Sequence, residues 1–342
     1  MRCRKPKTVG FYSDGKTICW SQKKISKEFA TFQLPCGKCL ECRLEYARQW
    51  AVRCVHEAQM HDENCFITLT YDEQNLKSDK LVYTDFQTFA KNLRTNLFQE
   101  LLDSIFPNQP QKLQRKLWNE FSKERKDELY NPKKISIFVT GEYGDKKKRP
   151  HWHALIFNWR PNDCEYKYSN DRGDKCFSSQ TLNDLWPHGV AELGSITFES
   201  AGYCARYAAK KLHHGRDGEH PFEPISKKSG KNAIGKSFIA EHWQSIFTHG
   251  NIQLPDGKNC SIPRYYEKWL QKHQPEAFKR YVTQKKQQII EEASARENKI
   301  IAEEKEINMK RTFEEGPQIS RVKVASTILD QKFKQLLEHL KL

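Results

Sequence analysis

Two histidines open an apolar stretch near the middle of the chain, Arg149-Pro150-His151-Trp152-His153-Ala154-Leu155-Ile156-Phe157. Side chains alternate between the two faces of a β-strand, so a strand here presents both imidazoles on one face. Neutral imidazole is the commonest metal ligand, and two fixed on one strand supply two ligands of a metal site. Glu142 lies just upstream, and a bend through Gly144 would bring its carboxylate back beside them as a third ligand. A purely structural role for the two histidines is the alternative.

A second group of candidate residues lies in segment 199–212. Ser200 is a suitable N-cap and the segment is rich in alanine, which predicts a helix. Tyr203 and Tyr207 are four residues apart and share one face, and Lys210 and Lys211 fall close to it. Two phenols and an ammonium group on one side of a helix indicate phosphoryl chemistry. An ordinary amphipathic surface is the alternative.

Three of the eleven cysteines have C-x2-C-x2-C spacing, namely Cys36, Cys39 and Cys42. Clustered cysteines in a cytosolic chain indicate a metal site rather than a disulfide framework. Gly37 permits a tight turn that directs the sulfurs toward one centre. Tyr46 stands where the ferredoxin spacing requires a further cysteine, which counts against an iron–sulfur cluster.

Tetrahedral zinc needs a fourth ligand besides these three thiolates. The candidates are Cys3, Cys19, Cys54 and His56, and Cys3 is preferred. The sequence therefore predicts a structural zinc ion. Three unligated thiols are the alternative.

The charge balance points to an anionic partner. Fifty-eight Lys and Arg residues against 43 Asp and Glu give a net charge of +15, which favours nucleic acid. Thirteen tyrosines and eight tryptophans offer stacking surfaces for single-stranded DNA. A basic protein without a polyanionic partner is the alternative.

Neither a membrane nor a secretory route is indicated. No apolar run approaches the roughly 20 residues of a membrane helix, and the N-terminus lacks the apolar core of a signal peptide. We therefore expect a cytoplasmic protein.

Residues 230–237 match the phosphate-loop pattern G-x-x-x-x-G-K-S. A true phosphate loop follows a buried strand, and segment 220–228, with two prolines and two lysines, does not resemble one. No apolar strand ending in a carboxylate follows to help hold magnesium. We expect no ATP binding, and instead a loop that contacts the DNA backbone.

The elements that must position these groups follow from the hydrophobic pattern. Strands are predicted at 65–71, 135–141, 150–157 and 189–198, and helices at 44–61, 83–105, 182–186 and 199–212. The second and third of these strands should form a hairpin. Segments 160–179 and 213–237 are predicted to be loops. A charged helical segment covers 267–311, and an amphipathic helix covers the last thirty residues.

Three of these segments resemble the ordered motifs of the HUH endonucleases. They are Phe66-Ile67-Thr68-Leu69-Thr70-Tyr71, His151-Trp152-His153 and Tyr203-x3-Tyr207-x3-Lys211. Segments 35–44 and 48–51, together with Gly141-Glu142-Tyr143-Gly144 before Arg149, resemble the replication initiation proteins of gokushovirus-type Microviridae, which are small single-stranded DNA phages. The resemblance covers about residues 1–270.

The resemblance implies an α+β fold. Its centre is an antiparallel sheet of the HUH endonuclease (RRM/ferredoxin-like) type, with the histidine strand in the middle and the tyrosine helix packed beside it. We divide the chain into a cysteine-rich region with a helix at 1–62, an endonuclease domain at 63–262 with a helical insertion around 99–132, and a charged helical extension at 263–342.

The resemblance also implies the roles of the site residues. His151 and His153 would bind magnesium or manganese, with Glu142 as third ligand by its position, and zinc would also be accepted in vitro. Tyr207 and Tyr203 would be nucleophiles. Lys211, at the family spacing, or Lys210 would offset charge at the phosphate.

The implied activity is initiation of rolling-circle replication. A tyrosine would nick single-stranded origin DNA, forming a 5′-phosphotyrosine and a free 3′-OH primer, and the displaced strand would later be rejoined. The expected partners are origin DNA and host replication proteins such as a helicase, in the cytoplasm of the infected bacterium. A relaxase or HUH transposase, or a non-catalytic zinc-dependent DNA-binding protein, are the alternatives.

Overall fold

A computed structural model describes residues 3–76, 80–144, 149–170, 173–210, 225–228, 233–254, 257–311 and 320–339. The chain divides into two compact units, Met1–Phe238 and Ile239–Leu342. The described strands are β1 (Lys7–Phe11), β2 (Ile18–Cys19), β3 (Phe32–Leu34), β4 (Asn64–Tyr71), β5 (Ser136–Tyr143), β6 (Pro150–Phe157), β7 (Glu165–Ser169), β8 (Lys175–Ser178), β9 (Gly189–Gly194), β10 (Ile225–Lys228), β11 (Ile252–Gln253) and β12 (Asn259–Cys260).

The longer helices alternate with these strands. They are α1 (Leu40–Ala58), α2 (Tyr83–Ile105), α3 (Gln111–Glu120), α4 (Lys123–Tyr130), α5 (Gln180–Leu185), α6 (Phe198–Lys210), α7 (Lys236–His249), α8 (Arg264–His273), α9 (Pro275–Arg280), α10 (Gln287–Lys310) and α11 (Arg321–His339). None of the helices in the described ranges is long and apolar enough to cross a bilayer.

The first unit is built on a seven-stranded antiparallel sheet in the order β10-β5-β6-β4-β9-β8-β7. Strand β6, which carries the histidines, lies inside the sheet between β5 and β4. Glu142 of β5 pairs with His151, so the predicted hairpin is present. The predicted α+β class with an antiparallel sheet is confirmed.

The sheet has two differently covered faces. On the α2 face, Ile67, Val139 and Trp152 pack against Phe86 of α2 and Leu182 of α5. The strands of this layer are rich in β-branched and aromatic side chains, which suit a pleated surface covered by helices.

The opposite face carries the histidines. On this α6 face, Phe138 and Leu155 of the sheet pack with Trp50 of α1 and with Ala201 and Ala205 of α6. The small alanines let α6 approach the sheet closely, because little side-chain volume separates the two backbones.

A separate three-stranded sheet, ordered β2-β1-β3, precedes α1. Lys7 at the start of β1 pairs with Leu34 at the end of β3. The antiparallel pairing therefore brings Cys3, just before β1, next to Cys36, just after β3.

Two predicted loops contain strands. Segment 160–179 folds into the hairpin β7–β8, which extends one edge of the sheet through the pairing of Phe177 with Leu193. Its strands are largely exposed, so they lack the buried periodicity that reveals a strand in sequence. Within segment 213–237, residues 225–228 form β10 at the other edge, and much of the rest lies outside the described residues.

The predicted strand 189–198 is too long, because β9 ends at Gly194 and α6 begins at Phe198. Thr197 and Ser200 close this turn with reciprocal bonds: the Thr197 N–H donates to Ser200 Oγ at 2.8 Å, and the Ser200 N–H donates to Thr197 Oγ1 at 3.1 Å. Thr197, rather than Ser200, therefore caps the helix.

The second unit is mainly helical, as the C-terminal region is predicted to be. Tyr281 is buried and packs edge-on against Phe247 with ring centroids 4.8 Å apart. Its hydroxyl donates to Glu267 at 3.2 Å, and Lys286 lies 2.7 Å from the same oxygen. These contacts tie α7 and α8 to the turn that leads into α10.

Candidate active site and metal-binding cluster

Both histidines project from β6 onto the α6 face, and each is held through Nδ1 by a threonine of β4. His151 Nδ1 lies 3.1 Å from Thr70 Oγ1, and His153 Nδ1 lies 3.0 Å from Thr68 Oγ1. The strand register pairs the same residues. A hydrogen bond at one ring nitrogen orients the imidazole and directs the other nitrogen outward as a ligand.

These threonines were not identified as site residues from sequence. Thr68 and Thr70 repeat on β4 the two-residue spacing that His151 and His153 have on β6. Matching parity on two apolar strands was the available signal, but only the register decides which hydroxyl meets which ring.

Glu142 reaches the histidines from β5. Its side chain is buried, and Oε1 lies 2.7 Å from His153 Nε2. Two ligands bonded to one ion at about 2.1 Å are separated by about 3 Å, so this distance is close to that of a shared ion. The predicted proximity of Glu142 to the histidines is present in the structure.

Space is left at the second histidine by a glycine. A Cβ built on Gly144 would lie 2.8 Å from His151 Nε2. Burial, followed by the neighbouring His153, lowers the pKa of His151 to about 4. The ring is therefore neutral near pH 7, which is the form that binds a metal ion.

Tyr203 of α6 completes the cluster. Its hydroxyl donates a 2.6 Å hydrogen bond to Glu142 Oε1, and its ring meets His153 edge-on with centroids 5.0 Å apart. Phe66 stacks parallel to His153 with centroids 5.8 Å apart. The phenol, the carboxylate and the imidazole therefore form one connected network.

The other predicted residues of this segment are placed only in part. Tyr207 and Lys210 lie within α6, whose backbone extends to Lys210. Lys211 lies outside the described residues.

The cysteine group assembles as predicted. The sulfurs of Cys3, Cys36, Cys39 and Cys42 all lie within 4.8 Å of one another, the one such set of metal-ligating side chains among the described residues. The donor atoms of His151, His153 and Glu142 are spread more widely than this.

Local geometry explains how four thiols converge. Gly37 adopts a positive φ of 72° that favours glycine, and the Cys36 N–H donates to Cys3 Sγ at 3.2 Å. Cys3 Sγ and Cys39 Sγ are 3.7 Å apart. Tetrahedral zinc with bonds of about 2.3 Å would separate its sulfurs by about 3.8 Å.

The electrostatics of this group favour a thiolate. Burial opposes ionisation of Cys36, but the backbone N–H groups of Cys39 and Lys38 outweigh it and lower the pKa of Cys36 to about 6. Burial raises the pKa of Cys42 well above its usual range. All eleven cysteines are free thiols, so these four form a group able to bind a metal ion, consistent with zinc.

The segment that matches the phosphate loop is held by α1. The Gly235 N–H donates to Glu57 Oε2 at 2.6 Å, and Arg53 donates to the Ile234 carbonyl at 2.8 and 3.0 Å. An amide that faces a carboxylate is poorly placed to bind a phosphate. Residues 229–232 lie outside the described residues, and the absence of ATP binding stays a prediction.

Known proteins locate this site within a family. A family model for replication-associated proteins of the ORF2 type matches residues 103–212. The replication-associated protein VP4 of Bdellovibrio phage phiMH2K is 44% identical over 344 residues, and the match covers 100% of both chains.

The chain belongs to the microvirus replication-associated proteins.

Two further members of this group are more distant. The replication-associated protein ORF4 of Chlamydia phage 1 is 30% identical over 252 residues, covering 72% of this chain and 55% of that protein. The replication-associated protein ORF2 of Spiroplasma virus 4 is 26% identical over 297 residues, covering 84% and 83%. No solved structure matches the chain. In this replication-associated protein the region matched by the family model contains Glu142, both histidines and both tyrosines.

Proposed function

We propose that this chain initiates rolling-circle replication of a phage genome by nicking single-stranded origin DNA with a tyrosine. The names of its relatives support a role in replication. The observation that carries the chemistry is the 2.6 Å hydrogen bond between Tyr203 and Glu142, at a carboxylate that also meets His153. A nucleophile, an acidic ligand and an imidazole are thus in contact at one place.

We assign His151, His153 and Glu142 as ligands of a magnesium or manganese ion. Three features support the fit: the Nδ1 atoms are engaged by threonines, Glu142 is within ligand spacing of His153, and Gly144 leaves room at His151 Nε2. When bound, the ion would polarise the scissile phosphate and stabilise charge on its non-bridging oxygens.

The residues of the chain would carry out the remaining steps. The Tyr203 or Tyr207 oxygen attacks phosphorus and the bond to the 3′-oxygen breaks, leaving a 5′-phosphotyrosine. Glu142 accepts the proton of Tyr203 along the existing hydrogen bond, and the leaving 3′-oxygen finally gains a proton. A phenol with a pKa of about 10 needs such help, and Lys211 or Lys210 would offset charge at the phosphate.

Two tyrosines allow a relay. One phenol holds the 5′ end covalently while the second attacks the regenerated origin. The phosphotyrosine bond conserves the energy of the phosphodiester, so rejoining is the reverse attack by a 3′-OH and needs no ATP.

We further propose that Cys3, Cys36, Cys39 and Cys42 hold a structural zinc ion. Partners would be the single-stranded origin and host replication proteins such as a helicase, in the cytoplasm of the infected bacterium. We expect neither a membrane partner nor ATP binding.

The test is cleavage of labelled single-stranded origin DNA with manganese, followed by a denaturing gel and mass spectrometry of tryptic peptides. We expect a covalent nucleotide adduct on Tyr203 or Tyr207, and its loss from the assigned position in Tyr203→Phe or Tyr207→Phe. DNA affinity of both variants should stay within about threefold of the wild type, because a phenol acting as nucleophile contributes little to binding.

The alternatives predict other results. Binding without cleavage or adduct, across candidate origins and metals, would favour a non-catalytic zinc-dependent DNA-binding protein, which the cysteine group would suit. A relaxase or HUH transposase would form the adduct but would transfer the strand to a second DNA molecule instead of supporting repeated rounds on one circle.

A further inference from the structure

A groove runs along the α2 face of the sheet, between α2 and the edge strand β10. Its floor is apolar and consists of Phe86 and Ala90 of α2 with Ile137 and Val139 of β5. Alternation along β5 places Ile137 and Val139 on the face opposite to Glu142. The groove is therefore separate from the histidine site, although both use β5.

The rims of the groove are basic. Lys91 and Arg94 lie three residues apart on α2 and so share one side of that helix, and Lys227 faces them from β10. Lys91 and Lys227 are exposed. Among the described residues that line the groove, every charged one is a cation. A fourth, Lys228, points to the other face, where its Nζ lies 3.9 Å from the Trp50 ring centroid.

One aromatic ring is presented to the groove beside these cations. Tyr83 at the start of α2 is half-buried and lines the groove. The Nζ of Lys227 lies 5.9 Å from its ring centroid. Single-stranded DNA is bound in basic grooves where bases stack on aromatic rings and phosphates meet cations.

We infer that this groove binds a second segment of single-stranded DNA, away from the scissile phosphate. The cations on both rims match a phosphate backbone, and the apolar floor with Tyr83 matches bases. An acidic peptide would use the rims but would leave Tyr83 and the apolar floor without a partner. That the strand is origin DNA rests on the proposed function, whereas the binding itself does not require cleavage.

The test compares two charge-matched variants of the full-length protein. Lys91→Gln/Arg94→Gln/Lys227→Gln removes two lysines and one arginine from the groove. Lys112→Gln/Arg115→Gln/Lys116→Gln removes the same charges from exposed positions of α3. Binding of a fluorescent oligothymidine is measured by anisotropy over a salt series, without added divalent metal ions.

We expect the groove variant to bind at least about tenfold more weakly at low salt. The slope of log K against log salt should fall in magnitude by about 2, since each phosphate contact on single-stranded DNA contributes about 0.7. The α3 variant should stay within about twofold of the wild type. Oligonucleotides carrying 5-iododeoxyuridine should photocrosslink to Tyr83, as read by mass spectrometry.

Two results would overturn the inference. Equal binding by the two triple variants would show that the groove has no special role. Displacement of the oligonucleotide by polyglutamate at equal charge concentration, with no crosslink at Tyr83, would assign the groove to an acidic peptide. Because the assay needs no cleavage, it gives the same answer in a Tyr203→Phe background, so a failed nicking assay and a failed groove are distinguishable.

Discussion

A single carboxylate oxygen of Glu142 accepts a 2.6 Å hydrogen bond from Tyr203 and lies 2.7 Å from Nε2 of His153. Tyr203 belongs to α6, whereas Glu142 and His153 belong to neighbouring strands of the sheet. The proposed nucleophile and the proposed metal ligands are therefore joined through one atom, and changes at Glu142 should affect both.

Glu142→Gln should separate these two roles. The amide keeps the size of the side chain and its oxygen can still accept from Tyr203, but the ligand charge is lost. We expect manganese affinity to fall at least about tenfold and cleavage at least about a hundredfold. Titration calorimetry and the cleavage gel measure the two effects.

The matched control for Glu142→Gln is Tyr203→Phe. This variant removes the hydrogen-bond donor and leaves the carboxylate, so manganese affinity should stay within about threefold of the wild type. A similar loss of manganese affinity in both variants would mean that the hydrogen bond, and not the charge, determines metal binding.

Thr68→Val and Thr70→Val should weaken metal binding without unfolding the sheet. Each removes a hydroxyl that holds a histidine Nδ1, and loss of such supporting hydrogen bonds typically costs 10- to 100-fold in metal affinity. Thr68→Ser and Thr70→Ser should restore much of the loss.

Thr140 provides the internal control. It pairs with His153 from the opposite strand and is fully buried, and within the described part of the chain its Oγ1 makes no hydrogen bond. Thr140→Val should leave manganese affinity unchanged and should not lower the melting temperature. If all three valine variants behave alike, the threonine–histidine bonds do not position the ligands.

Gly144→Ala tests the space at the second histidine. The new methyl group would lie 2.8 Å from His151 Nε2, so the ring must move away from the metal position. We expect weaker manganese binding and slower cleavage, with a melting temperature close to that of the wild type. A variant with unchanged manganese affinity would argue against His151 Nε2 as a ligand.

Removal of metal from the cysteine group should destabilise the N-terminal region. Purified protein should contain about one zinc per chain by atomic absorption, and Cys39→Ser should lose it. Structural zinc contributes directly to folding free energy, so the variant should melt at a lower temperature. Cys65→Ser, at a fully buried cysteine outside the group, should also melt lower but should retain its zinc. Zinc-free wild-type protein with unchanged stability would contradict the assignment.

Acid should destabilise the metal-free protein through His151. Its pKa in the folded protein is about 4, below the ordinary value of about 6.5 for the unfolded chain. As pH falls below 6.5 the unfolded chain takes up the proton first, so stability is lost between pH 6.5 and 4. At pH 5 this amounts to about 2 kcal/mol.

His151→Gln should therefore show a smaller decline in unfolding free energy between pH 7 and pH 5 than the wild type. Chemical denaturation at both pH values measures it. Identical declines in the two proteins would mean that burial of His151 does not disfavour its charged form.

The sequence was most informative where short-range patterns decide the structure. The β-branched and aromatic run of β6 and the C-x2-C-x2-C spacing led directly to the histidine strand and to the cysteine group. The choice of Cys3 over Cys19, Cys54 and His56 depends on the pairing of Lys7 with Leu34, which no local pattern specifies.

The errors have specific physical causes. The hairpin β7–β8 is exposed, so its strands carry no core-facing periodicity. The start of α6 was misplaced because Thr197 and Ser200 are both good capping residues and only their reciprocal bonds distinguish the cap. The threonine partners of the histidines depend on strand register, which is set by the packing of the whole sheet.

The interior position of β6 has a consequence for how the protein opens. Its residues are paired from end to end with β5 on one side and β4 on the other. Amide hydrogens in such a strand exchange with solvent only when the whole domain unfolds, whereas edge strands such as β7 and β10 open locally. We therefore expect the ligand-bearing strand to be among the slowest-exchanging parts of the chain, and the two histidines to keep their spacing while the edges of the sheet open and close.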